Sequence, residues 1–204
     1  MSAPVLLYII GLVLAYRAGL FVGRISPLRF APVTTMLLVL VAVPTTLQFF
    51  HPELLPLFRR DRIAIMQGEW WRLVTALFFQ DGGLWGAAFN LFSLLLVASV
   101  AEQLWKKGFV VLFFFAGGIA GELAGLTWQP IGAGNSVGSF GLAASIAVAV
   151  LTRSAVKRGK ALALLAATAD IALLALRDIH GAAAITGGIA ALLLRSTKSA
   201  PATA

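Results

Sequence analysis

Phe109-Val110-Val111-Leu112-Phe113-Phe114-Phe115-Ala116-Gly117-Gly118-Ile119-Ala120-Gly121-Glu122-Leu123-Ala124-Gly125-Leu126 carries a single charged side chain, Glu122. As an α-helix this run rises about 27 Å, close to the roughly 30 Å hydrocarbon thickness of a bilayer. Lipid offers no hydrogen-bond partner, so a block this long has to satisfy its own backbone, and it does so as helix. Six further blocks of similar character flank it: Val5–Val22, Val33–Phe50, Leu84–Val100, Val137–Leu151, Ala161–Leu176 and Ile179–Leu194. The expected fold class is all-α, a polytopic transmembrane helical bundle.

Composition agrees. Apolar residues make up 60% of the chain and charged residues 12%, against roughly 45–50% and 25% in soluble domains. There is no cysteine, which excludes disulfides and thiolate metal sites. Two histidines without a His/Glu pair at helical ligand spacing argue against a metal centre, and no cofactor is expected. The net charge of +8 fits a membrane protein with basic cytoplasmic connections. With no basic recognition motif, nucleic acid is not an expected partner; the lipid bilayer is. The first block lacks a charged n-region and a small-residue cleavage site, so it reads as a retained span.

Alternate connections are basic: Arg24 and Arg29, then Lys106 and Lys107, then Arg153, Lys157, Arg158 and Lys160, then Arg195 and Lys198. They place the N-terminus outside and the C-terminus in the cytoplasm of a multi-pass protein, expected in the plasma membrane. Arg59, Arg60, Arg62 and Arg72, in the long connection from His51 to Gly83, run against this assignment. Trp70-Trp71 in the same connection suits the headgroup level. Pro44 is expected to kink the second block.

Depth follows from helical rise. Ser136 lies about 26 Å above Arg153, His180 about 22 Å above Arg195, and Asn90 about 24 Å above Lys106. Three polar side chains from three blocks thus share one level near the outer face. Alone, Ser136 reads as a small packing residue and Asn90 as a helix-pairing one. His180 is harder to read so, because ionisable groups in a membrane are costly and usually functional. Together they fit a hydroxyl nucleophile beside its general base. Glu122 lies about 22 Å above Lys107, at nearly the same level, and Asp170 lies nearer the middle; both read first as paired or protonated acids.

The motifs resemble those of a known family. Gly134-Asn135-Ser136-Val137-Gly138-Ser139-Phe140-Gly141-Leu142 is similar to the G-x-S element and following Phe-Gly-Leu of the rhomboid intramembrane serine proteases. Glu69-Trp70-Trp71-Arg72-Leu73-Val74-Thr75 resembles their first-loop Trp-Arg element. Asn90 matches the Asn of H-x-x-x-N, and His180 with Ala183 and Gly187 is similar to H-x-x-G-x-x-x-G. The resemblance implies a six-helix core over residues 31–195, an extra N-terminal helix and basic connection over 1–30, and a disordered tail over 196–204. It implies Ser136 as nucleophile and His180 as its base, a dyad without a third acid. Asn90 and the Ser136 N–H would supply oxyanion donors, and Gly141, Gly181, Ala183 and Gly187 would let the Ser and His helices approach.

The sequence departs from the family pattern at three positions. Gly86 stands where H-x-x-x-N has its His, Val137 follows the nucleophile where Gly is usual, and Ala183 replaces the first Gly of the last element. Val137 is expected to crowd the oxyanion site, and Gln80 to stand in for the missing donor. Two functions follow: an intramembrane serine endopeptidase cutting single-span transmembrane substrates near the outer face, or a catalytically impaired rhomboid-like protein binding transmembrane partners. A transporter finds no support in repeats or paired broken helices.

Overall fold

A computed structural model of the chain describes residues 3–195; the expected tail, 196–204, lies outside them. Seven long helices coincide with the seven apolar blocks: α1 (Ala3–Gly19), α2 (Pro32–Phe50), α6 (Gly83–Leu104), α7 (Lys107–Trp128), α8 (Ser136–Arg153), α9 (Lys157–Ala175) and α10 (Ile179–Leu194). The connection after α2 folds into three short helices, α3 (Leu54–Phe58), α4 (Arg62–Met66) and α5 (Arg72–Thr75). A two-residue strand β1 (Arg60–Asp61) within it pairs antiparallel with β2 (Ile131–Gly132). By length and composition α2, α6, α7 and α8 can each cross a membrane, while the α1 stretch and α10 are apolar but shorter. α9 opens with Lys157, Arg158 and Lys160 and carries Asp170. The chain is an integral, multi-pass membrane protein.

The bundle is organised around α8. α8 is 83% buried, against 33–44% for the apolar stretches of α2, α6 and α7, and α7, α10, α6, α1 and α9 all lie against it. Small residues make that possible. A methyl added at Gly187 of α10 would strike the backbone of Gly141, and one at Gly141 would strike the Phe113 carbonyl of α7. At Gly117 a Cβ would meet the Gly141 Cα at 2.7 Å. This seam brings α7, α8 and α10 to backbone contact, the packing that small residues permit in membranes. Ala183, fully buried, fits the same seam, its carbonyl facing Gly117. Gly181 does not serve the α8–α10 approach: it faces the backbone of Leu173 and Leu174 on α9. A residue spacing cannot tell which of two neighbouring helices a small residue admits.

α1 is embedded in the bundle. It packs along α9 and α8 and touches α6, and Leu12, Ala15 and Ala18 join the common core. Gly11 sits over Asp170 and Phe140, and Gly19 against Val100 and Ile146. α2 is fastened to α6 by Glu102, whose carboxylate accepts from the N–H groups of Val33 and Thr34 at 3.0 and 2.7 Å. It supplies the acceptor that the first turn of α2 lacks, with the sign the helix dipole favours. Pro44 lies inside α2, which runs unbroken to Phe50.

The helix ends alternate as the basic connections require. Ser154 Oγ donates to the Phe21 carbonyl at 3.0 Å, and Arg153 donates to the Leu104 carbonyl at 2.7 Å while lying over the Trp105 ring. The Ser26 N–H donates to Gln103 Oε1. Three connections therefore gather at one end, with the long loop at the other. The arginines that ran against the orientation include two with partners there. Arg60 is buried and paired with Glu122 of α7 at 2.6 Å. Arg72 meets Glu69 and the carbonyls of Pro56 and Arg59. These guanidiniums tie the loop together.

Candidate active site

Ser136 is the first residue of α8, and Asn135 before it is fully buried. His180 lies in the first turn of α10. Its Nε2 stands 2.8 Å from Ser136 Oγ, so the depth match read from helical rise corresponds to a direct contact. The imidazole is held on two sides by rings, Phe140 at 5.0 Å between centroids and Tyr8 edge-on at 4.8 Å. Phe140 comes from α8, one turn below Ser136, and Tyr8 from α1.

The far ring nitrogen is also occupied. His180 Nδ1 is 2.6 Å from Asp178 Oδ1, and the same oxygen accepts the His180 backbone N–H at 2.9 Å. Where a dyad without a third acid is expected, the structure places a carboxylate against the ring. Local structure puts it there. Arg177 adopts φ 55° and closes α9, with its N–H on the Leu174 carbonyl and the Asp178 N–H on the Leu173 carbonyl. That pattern is a Schellman ending. Asp178 then serves as N-cap of α10. Burial pushes its carboxyl up, but the hydrogen bonds and charge of His180 outweigh burial and hold it below the usual carboxylate range. The signal in the sequence is an Asp two residues before a His at a helix start, an N-cap pattern.

Asn90 lies beside the pair. Its Oδ1 accepts from the Tyr8 hydroxyl at 2.7 Å, and its Nδ2 donates to Gln80 Oε1 at 2.8 Å. Gln80 Nε2 donates to Asn135 Oδ1, and Asn135 Nδ2 donates to the Asn90 carbonyl at 3.1 Å. A backbone carbonyl can only accept, so this last bond sets the direction of every amide in the chain back to Tyr8. One Nδ2 proton of Asn90 is thus committed to Gln80 and the other remains. Gln80 is only 1% exposed and borders neither cavity at Ser136, so it orients Asn90 and does not stand in for the missing donor. Gln48 of α2 locks Gln80 in turn through paired bonds to its backbone, at 2.6 and 2.9 Å.

Two cavities meet at Ser136 and His180. One, about 240 Å³, is bounded by Tyr8, Phe89, Asn90 and Asp178 and reaches the start of α1. The other, about 120 Å³, is polar and runs back to Arg60, Asp81, Glu122 and Gln129. Arg60 and Glu122, each only 1% exposed, form its inner wall. Glu122 is accordingly a paired acid. Val137 does not crowd the site: it is buried against Gly121, where a Cβ would come within 2.7 Å of its Cγ1. At Gly86 a Cβ would meet nothing within 4 Å, so the position is open as well as bare.

Residues 67–200 match the rhomboid domain family. The chain is 35% identical over 96 residues to the rhomboid protease GluP of Bacillus subtilis, covering 46% of this chain and 19% of that protein. It is 30% identical over 109 residues to YdcA of the same bacterium, which carries the rhomboid protease name, covering 51% of this chain and 54% of that one. The chain thus aligns with about a fifth and about half of these relatives' lengths. No solved structure matches it. With the family's domain spanning most of its helices, the chain belongs to the rhomboid family.

Proposed function

We propose that the protein is an intramembrane serine endopeptidase that cuts single-span transmembrane proteins near the outer face of the plasma membrane. The observation that carries this reading is the 2.8 Å contact between His180 Nε2 and Ser136 Oγ, beside a cavity of about 240 Å³. A serine hydroxyl becomes a useful nucleophile when a base takes its proton as it attacks. His180 takes that proton at Nε2 while Ser136 Oγ bonds to the scissile carbonyl carbon. The oxygen that gains charge is met by the uncommitted Nδ2 proton of Asn90 and by the Ser136 N–H, which in a helix's first turn has no intrahelical acceptor. His180 then returns the proton to the leaving amine, and water completes hydrolysis of the acyl ester from the polar cavity lined by Arg60, Asp81 and Glu122. A substrate segment must unwind to present its carbonyl, so helix-weakening residues should mark the cut site.

The test is labelling of detergent-purified protein by a fluorophosphonate. Wild type should label, and Ser136→Ala and His180→Ala should not. Wild type that stays unlabelled while capturing transmembrane partners would support the second reading, a binding protein of rhomboid descent. The bare Gly86, without the side-chain donor of the family pattern, is the observation favouring that alternative.

A further inference from the structure

The mechanism above uses one imidazole nitrogen and leaves the other against a carboxylate. We propose that Asp178 is a positioning residue that makes the pair a Ser136–His180–Asp178 triad, a reading that rests on the protease function proposed above.

Geometry supplies the argument. The three groups form one chain of contacts: Ser136 Oγ at 2.8 Å from Nε2, and Asp178 Oδ1 at 2.6 Å from Nδ1. A carboxylate can only accept, so Nδ1 carries the proton and Nε2 presents its lone pair to the serine, the tautomer a general base needs. When Nε2 takes the serine proton, the ring becomes an imidazolium with Asp178 adjacent. The Nδ1 proton stays on the ring, and the Nε2 proton goes on to the leaving amine, so the aspartate ends as it began. The side chains of His180 and Asp178 are only 16% and 12% exposed, so water screens the attraction little.

The carboxylate is also held rigidly. Asp178 is at once the last residue of the α9 Schellman ending and the N-cap of α10, so its backbone is bonded on both sides. The plainer role is helix capping alone. A cap needs only the bond to the His180 N–H; here the same oxygen also reaches the ring. Other charged or titratable groups around the imidazole are Tyr8 on α1, whose hydroxyl is directed to Asn90, and Arg60, Asp81 and Glu122 across the polar cavity. None of these has a bond to a ring nitrogen.

The experiment measures the second-order rate of fluorophosphonate labelling against pH for wild type, Asp178→Asn and Asp178→Ser. Asn and Ser are both good N-caps, so thermal midpoints in detergent should stay near wild type. The Asn variant should label at least 10²-fold more slowly, on the order of the 10⁴-fold loss known when the acid of such a triad becomes its amide. The pH profile of labelling should also change, because the carboxylate on Nδ1 is gone while the cap remains. Variants that label at the wild-type rate, or slow only in proportion to lost folded protein with an unchanged pH profile, would reduce Asp178 to a cap. Failure of wild type itself to label would instead overturn the protease reading on which the proposal rests.

Discussion

At the scale of single residues, the site turns on which donors remain free. Asn90 spends one amide proton on Gln80 and has its oxygen fixed by Tyr8, leaving one proton for the cavity. Asn90→Ala should therefore slow labelling by on the order of 10²-fold with the fold retained, as for loss of one oxyanion donor. Equal labelling of mutant and wild type would make Asn90 a pairing residue only. Gly86, one turn earlier on α6, has open space where a Cβ would go. Gly86→His should raise turnover of a transmembrane model substrate, because a donor near the developing charge acts mainly in the transition state. Unchanged turnover would place that side chain outside the reaction. Val137→Gly should not help further, since Val137 fills the groove at Gly121 and its removal leaves a cavity.

At the scale of elements, the long loop is anchored to α7 through a buried charge pair. Arg60 donates to Glu122 at 2.6 Å and to the Gln129 carbonyl at 2.8 Å. Gly125 and Gly132 make room, since a Cβ at either would meet the guanidinium at about 2.5 Å. Removing one partner strands a charge on a side chain that is only 1% exposed. Glu122→Leu is expected to cost about 3–5 kcal/mol, while the double change Arg60→Met with Glu122→Leu should recover most of that. Thermal unfolding of the three proteins in one detergent checks this; a double variant no better than the single would mean the loop is held elsewhere, for instance by Gln48 of α2 on the Gln80 backbone.

At the scale of the whole molecule, alternating connections determine how the bundle sits in a membrane. The ends carrying Phe21, Leu104 and Arg153 meet on one side, and the Ser136–His180 contact lies on the other. Reporters fused after Arg158 and after Ser199 should both read cytoplasmic, which places the site near the outer face. An external signal from either would invert the topology and move the proposed cleavage site to the inner side.

The helices themselves were legible along the chain, because a bilayer accepts only segments that satisfy their own backbone, and that demand is written as uninterrupted apolar runs. The shared depth of Ser136 and His180 was legible too, since helical rise measured from basic connections is a one-dimensional property. What needed tertiary structure was everything that depends on azimuth. A rise of 1.5 Å per residue gives depth but not which neighbour a side chain faces. So Val137, expected at the oxyanion, turned to Gly121, and Gly181 turned to α9 instead of α8. α1 came to rest against α9 and α8, bringing Tyr8 onto His180. Asp178 joined the site because a Schellman turn with Arg177 at φ 55° set its carboxylate over the first turn of α10. Depth is a property of each helix alone; facing is settled only when all of them compete for the same core.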